Sequence, residues 1–172
     1  MARIPLVEEQ QHPELSVLIA EVKGKRGRLS HLYATLLNSP PIAGGWLNFL
    51  TAVRREGRLP GVYRELVILR VALLNRAPYE FNAHRSHALD AGISEAQIDA
   101  LADWKNSKLF DAAQQAVLAY TDAMTREIEV PDEMFSAVSA LFDDRELVEL
   151  TTTVAAYNMV SRFLVALQIG KP

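Results

Sequence analysis

The chain has 172 residues, of which 49% are hydrophobic and 23% charged, with a formal net charge of −3 and no cysteine. That balance suits one ordinary globular domain with a sizeable core, and it lacks the basic excess of a nucleic-acid binder. No window approaches ~18 uninterrupted apolar residues, and the N-terminus lacks the charged-then-apolar order of a signal peptide. The expectation is therefore a cytoplasmic protein without membrane association.

Residues 1–12, which include Glu8-Glu9-Gln10-Gln11, read as a polar N-terminal arm. Residues 13–172 read as a single helical domain. Apolar positions at three- and four-residue spacing predict helices over 15–22, 29–37, 45–53, 63–74, 81–89, 97–101, 113–124, 135–141 and 147–167. Gly24 and Gly27 are expected to end the first of these, Ser39-Pro40-Pro41 to precede the third, and Gly57 with Pro60 to separate the third from the fourth. The basic run from Lys23 to Arg28 reads as a solvated turn rather than an anion site. Gly92 has the position of a C-cap glycine. Ser94 with Gln97, Asp111 with Gln114 and Asp143 with Glu146 each place a cap acceptor three residues before Glu or Gln. Pro131-Asp132-Glu133 opens a further helix. The β-branched run Thr151-Thr152-Thr153-Val154 lies inside helical periodicity, so the fold class is all-α.

The polar residues that interrupt these apolar runs carry the functional signal. Glu80, His84 and His87 stand at i, i+4 and i+7 on one helix face. Glu65 belongs to the preceding helix, with Pro78 marking the break between the two. If the helices run antiparallel, Glu65 and Glu80 converge across a short turn. Two carboxylates and an imidazole are costly to bury without a reason, and they are the groups that move protons. Plainer readings exist for each. Glu65 would be a solvent-facing helix residue, although its neighbours at helical offsets, Gly61, Val62, Ile68 and Leu69, offer it no charge. Glu80 and His84 would form an exposed i,i+4 pair. His87 would be exposed or capping rather than a metal ligand, and His31 ordinary. Tyr157, Asn158 and Arg162 form a second polar group on the last helix, either interhelical hydrogen bonds or a clamp for a substrate carboxylate. Trp46 is core or a pocket wall, and Tyr79 and Phe81 flank Glu80 as candidate dry walls.

The segments Arg64-Glu65-Leu66, Tyr79-Glu80-Phe81, His84 and Ala91-Gly92-Ile93-Ser94 resemble the carboxymuconolactone decarboxylase family, which shares the alkylhydroperoxidase D-like (AhpD-like) fold. Asn38-Ser39-Pro40, Ala116-Val117-Leu118-Ala119-Tyr120 and Tyr157-Asn158 are similar to other stretches of the family, so the likeness spans roughly residues 35 to 168. In the hydroperoxidase branch a Glu is followed by a C-x-x-C pair and then a His. Here the Glu matches Glu65 and the His matches His84, whereas the cysteine positions fall on Ala77 and Glu80. Without a thiolate the thiol peroxidase cycle is excluded, and a glutamate at the second position resembles the decarboxylase branch.

The resemblance implies a pocket lined by Glu65, Glu80 and His84 as catalytic groups, with Tyr79, Phe81, Tyr157, Asn158, Arg162 and Trp46 as substrate-binding residues. It implies no metal and no cofactor. The implied activity is decarboxylation of a small carboxylated lactone or keto acid by acid–base chemistry. The alternative is a non-catalytic oligomeric small-molecule-binding protein that retains the fold. Members of the family are oligomers built on helical interfaces, and the last helix is apolar on more than one face, so a homo-oligomer is expected, as a dimer, trimer or hexamer.

Overall fold

The computed structural model describes residues 2–170. Among these it holds nine α-helices and no strand: α1 (Ser16–Arg26), α2 (His31–Leu36), α3 (Pro40–Thr51), α4 (Gly61–Leu74), α5 (Pro78–Asp90), α6 (Glu95–Ala100), α7 (Ala112–Arg126), α8 (Asp132–Ser139) and α9 (Asp144–Ala166). No helix among the described residues is long and apolar enough to cross a membrane. The chain divides into two compact units. One comprises the residues up to Glu56 together with those from Leu164 onward, and the other runs from Gly57 to Phe163.

In the first unit, α3 packs against α1 and α2. The N-terminal stretch is tied down within this unit. The Arg3 backbone N–H bonds to Leu167 O, that of Val7 bonds to Ala34 O, and Asn38 Nδ2 donates to Pro5 O at 2.9 Å. The basic run is not the turn its composition suggests. α1 continues through Gly24 and ends at Gly27, whose φ of 82° supplies the left-handed cap. Arg26 then turns inward. Its Nε donates to Tyr33 Oη at 3.1 Å, and its Nη2 donates to Thr51 Oγ1 at 3.0 Å and Leu47 O at 3.2 Å. A guanidinium with five donors can satisfy several acceptors at once, so this half-buried arginine fastens α1 to α2 and α3.

In the second unit α4 lies between α5 and α7 and touches both. Its centre is buried from Glu65 to Ala72 without a break, as befits the middle helix of a bundle. Leu66 and Leu69 of α4 pack with Ala88, Ile93, Ile98, Leu101, Trp104, Phe110 and Leu118 into one core cluster, with Phe81 against its edge. The sequence signals for helix ends hold here. Ser94–Gln97 and Asp111–Gln114 form full capping boxes. Asp143 Oδ1 accepts from the Glu146 N–H at 2.8 Å while Glu146 accepts from the Asp143 N–H at 3.2 Å. Gly92, at φ 93°, follows α5, and Ile93 N bonds back to Ala88 O.

A buried ion pair holds α4 to α7. Arg70 Nε and Nη2 donate to the two carboxylate oxygens of Asp122 at 2.6 and 2.8 Å, and Arg70 Nη1 donates to Leu101 O at 2.7 Å. Trp104 Nε1 donates to Asp122 Oδ2 at 3.3 Å. Nothing in the local sequence pattern singled out this pair, because its members stand 52 residues apart and the charged helical neighbour Asp122 does have, Arg126 at i+4, points to a different partner.

α9 is tied to its unit at successive turns. The Glu149 carboxylate accepts from the N–H groups of Arg58 and Leu59 at 2.6 and 2.7 Å. Tyr120 Oη bonds Thr151 Oγ1 at 2.8 Å. Asn158 takes a hydrogen bond from Asn75 Nδ2 at 2.9 Å and gives one to Thr125 Oγ1 at 3.0 Å.

Candidate active site

α4 stops at Leu74, and Arg76 adopts a left-handed φ of 54° that lets Ala77 N reach back to Ala72 O. Pro78 then starts α5 at its first position, where a missing N–H costs nothing. This tight reversal sets α5 back along α4 and brings Glu65 and Glu80 to the same imidazole. His84 Nδ1 stands 2.7 Å from Glu65 Oε2, and His84 Nε2 stands 3.2 Å from Glu80 Oε1. From α9, Tyr157 Oη lies 3.3 Å from the same Nε2, with the two rings edge to face at 5.2 Å between centroids. All four side chains are buried; Glu65 and His84 are each 3% exposed and Glu80 5%.

Of the two readings the sequence offered for Glu80 and His84, the exposed helix pair is the one that fails, since both lie in the interior. One feature of the site differs from the sequence reading. Glu65 does have a cationic neighbour, since Arg64 Nε sits 3.3 Å from Glu65 Oε1. Adjacent residues do not face each other on a helix, but the arginine stem is long enough to bring its guanidinium to its neighbour's carboxylate.

The electrostatics of His84 follow from its partners. Burial by itself disfavours the imidazolium. The hydrogen bonds to Glu65 and Glu80, with the charge of both carboxylates, outweigh that cost and raise the His84 pKa above the ordinary histidine value of 6.5. A folded pKa above the unfolded one means that the folded state holds the extra proton. Protonated His84 therefore contributes stability that is fully present below about pH 6.5 and lost as pH rises through the folded value. Urea midpoints measured from pH 6 to 9 are expected to fall across that window, and His84→Gln is expected to flatten the decline. An equal slope in the variant would show that His84 does not carry it.

The other candidate residues are distributed unevenly. Tyr157 joins the trio directly. Tyr79 and Phe81 flank Glu80 on α5, both half-buried, Phe81 against the core cluster. Asn158, one residue beyond Tyr157, accepts at Oδ1 from Arg162 Nη1 at 2.6 Å, while Arg162 itself is exposed. His87 is exposed, its ring 5.5 Å from that of His84. Trp46 belongs to α3 of the first unit, where it is buried. Among the described residues, no group of three or more His, Asp or Glu is arranged to hold a metal ion. A cavity of about 450 Å³ in the second unit is lined by Lys105, Asp122, Arg126, Pro131 and Met134 among others, and by none of the trio.

Residues 40–123 match the model of the carboxymuconolactone decarboxylase family. The chain is similar to that family over this segment, just under half of its length. Its relatives include the uncharacterized protein YnjA of Escherichia coli, 29% identical over 126 residues, or 73% of this chain. That alignment spans 66% of YnjA, just under two thirds of its length. The uncharacterized protein YdfG of Bacillus subtilis is 26% identical over 60% of this chain and 72% of its own.

Solved structures extend the likeness over almost the whole fold. A protein of unknown function from Agrobacterium tumefaciens, described as a candidate AhpD antioxidant defence protein, superposes with a TM-score of 0.75 at 26% identity. It covers 80% of this chain and 95% of its own. An uncharacterized peroxidase-related protein from Ralstonia eutropha, described as an alkylhydroperoxidase AhpD core, gives a TM-score of 0.84 at 18% identity over 99% of this chain and 92% of its own. The debrominase Bmp8, solved with 2,3,4-tribromopyrrole, gives 0.81 at 14% identity over 98% and 92%.

This chain is cysteine-free. At the position that the hydroperoxidase pattern gives to its second thiol, it carries the Glu80 carboxylate, 3.2 Å from the imidazole. At the first stands Ala77, buried in the turn between α4 and α5. Tyr157 is the site residue whose part the sequence understated. It lies 73 residues from His84; the sequence placed it, with Asn158, in a family-like stretch and among the substrate-binding residues, but not at the imidazole.

Proposed function

We propose that the chain is a cofactor-independent acid–base enzyme of the carboxy-lyase kind, acting on a small carboxylated lactone or keto acid. The observation that carries this reading is a single imidazole gripped at both ring nitrogens by carboxylates from two different helices. Glu65, at the shorter distance, takes the orienting part: it fixes the ring and the proton on Nδ1. Nε2, which faces Glu80 and Tyr157, is then the nitrogen that exchanges a proton.

In the reaction the bond between the carboxyl carbon and its neighbour breaks, and carbon dioxide leaves. The electron pair stays on the neighbouring carbon, delocalised into the substrate's own lactone or ketone carbonyl. His84 delivers the Nε2 proton to that carbon and regains one from solvent before the next cycle. A raised pKa favours the protonated form in which His84 would enter such a cycle. Tyr79 and Phe81 would give the substrate its apolar wall. Arg162, held by Asn158, is a candidate on α9 for a substrate carboxylate.

The near-complete burial of the trio supports a second reading, in which the same groups form a closed polar network in a non-catalytic small-molecule binder. The two readings separate on carbon dioxide release by the purified protein from a panel of small carboxylated lactones, carboxymuconolactone among them, and β-keto acids. Release above the uncatalysed rate is expected for at least one of them. None across the panel would withdraw the carboxy-lyase reading in favour of the binder. We also propose a homo-oligomer, supported by the apolar side chains left exposed on and beyond α8 (Met134, Phe135 and Leu141) and on α9 (Val148 and Met159).

A further inference from the structure

His84 Nε2 has two partners of opposite hydrogen-bonding character. Glu80 Oε1 lies 3.2 Å away and Tyr157 Oη 3.3 Å. A carboxylate can only accept, whereas a phenol can donate or accept. Nδ1 is committed to Glu65 at 2.7 Å, so the ring keeps a proton there in either charge state. The charge state is then decided at Nε2. When Nε2 carries a proton, Glu80 is its natural acceptor. When that proton is gone, Nε2 presents a lone pair to Glu80, and two acceptors cannot bond. The phenol can turn its O–H toward the same lone pair.

We propose that Tyr157 is a positioning residue that holds the neutral form of His84 by donating to Nε2, alternating there with Glu80, which holds the charged form. Two further groups approach other parts of the ring. Glu65, with Arg64 behind it, approaches from α4 at Nδ1. His87 meets the ring edge to face from α5. Tyr157 comes from α9 and, like the imidazole, is buried, at 1% exposed. Solvent is therefore a poor substitute for its hydroxyl.

The arrangement gives the site two settled states where two carboxylates alone would give one. Glu65 and Glu80 favour the charged ring. A hydrogen bond to the neutral form pulls the other way and makes the proton on Nε2 transferable. Tyr157 thereby acts on His84 and through it on any reaction the ring performs. The inference rests on His84 being the proton-exchanging group of the proposed function, but its test needs no substrate.

The test is an NMR titration of His84 in isotope-labelled wild-type protein, Tyr157→Phe and Glu80→Gln. Removing the donor to the neutral form is expected to raise the His84 midpoint in Tyr157→Phe by roughly half to one pH unit, the size of one ordinary hydrogen bond. Glu80→Gln is expected to lower it. Were Tyr157→Phe not to fold, the wild-type Nε2 nitrogen shift above the midpoint decides the matter, because a lone pair that accepts a hydrogen bond differs from a free one.

An unchanged or lowered midpoint in Tyr157→Phe, a free Nε2 lone pair in neutral wild-type protein, or a ring that stays charged until alkaline unfolding would each overturn the proposal. Failure of the carboxy-lyase assay would leave these titrations standing. Failure of the titrations would leave any measured turnover standing.

Discussion

Replacing His84 with alanine is expected to lower kcat/KM for whichever carboxylated substrate the protein turns over by about 10²-fold or more, the lower bound of what a positioned acid–base group contributes. The substitution also removes the cation from between two buried carboxylates. Glu65 keeps Arg64 at 3.3 Å, but Glu80 loses its partner at 3.2 Å. Some loss of stability therefore accompanies the loss of activity. His84→Gln separates the two effects, because an amide still donates to a carboxylate and fills much of the same volume while it cannot carry a proton through the reaction. Both variants are to be assayed beside their circular dichroism spectra. Turnover lost in both, with the fold retained in at least the glutamine variant, supports His84 as the acid. Turnover near wild type in either would remove it from that role.

Asp122→Ala is expected to cost about 3–5 kcal/mol of folding free energy, the usual consequence of removing one member of a buried ion pair. Arg70, 5% exposed beside Asp122, would have its Nε and Nη2 left without their carboxylate acceptors. Leu101 O, at 2.7 Å, would be its chief remaining partner. Against a typical total of about 5–15 kcal/mol, such a loss is a large share. At about 2–4 °C per kcal/mol for a chain of this size, it corresponds to a fall in Tm on the order of 10 °C. The measurement is a pair of urea or thermal melts.

The contrast that identifies the cause is the double replacement Arg70→Met with Asp122→Leu. Exchanging both members for apolar side chains of similar volume is often near neutral, so the double variant is expected to melt closer to wild type than Asp122→Ala alone. Equal melting of all three proteins would mean that the pair contributes little to holding α4 against α7.

How far these features were legible in the sequence depended on the distance over which each is written. Helix ends are local. Ser94 with Gln97, Asp111 with Gln114 and Gly92 satisfy backbone groups within a few residues, and each formed as its spacing indicates. Glu80 and His84 share a face because a helix repeats every 3.6 residues, and the turn at Pro78 was enough to point Glu65 toward them. The depth of burial was not legible, since the same spacing serves an exposed pair equally well. Arg64 was passed over because helical offsets count from backbone positions and ignore the reach of a long stem.

Arg70–Asp122 and His84–Tyr157 join residues 52 and 73 positions apart, and no periodicity within a helix encodes a partner on another. The run from Lys23 to Arg28 misled for a related reason. Its charge argued for solvent, but Arg26 found three acceptors on α2 and α3, and Gly24 proved tolerable inside α1.

The successive ties along α9 bear on how this chain can vary in length. Glu149 is fastened to the backbone ahead of α4, Thr151 to α7, and Asn158 to both Asn75 and Thr125. Each residue of a helix advances about 100° around its axis. One residue inserted or deleted between Glu149 and Tyr157 would swing the phenol a quarter-turn or more away from His84, or else pull every tie on one side of the change out of register. The connection between α7 and α8, with Ile128 at φ 69° and 87% exposed, carries no such phase and can grow or shrink without turning any side chain of the site. Gain and loss of residues in related proteins should accordingly accumulate in that connection and leave the count between Glu149 and Tyr157 fixed.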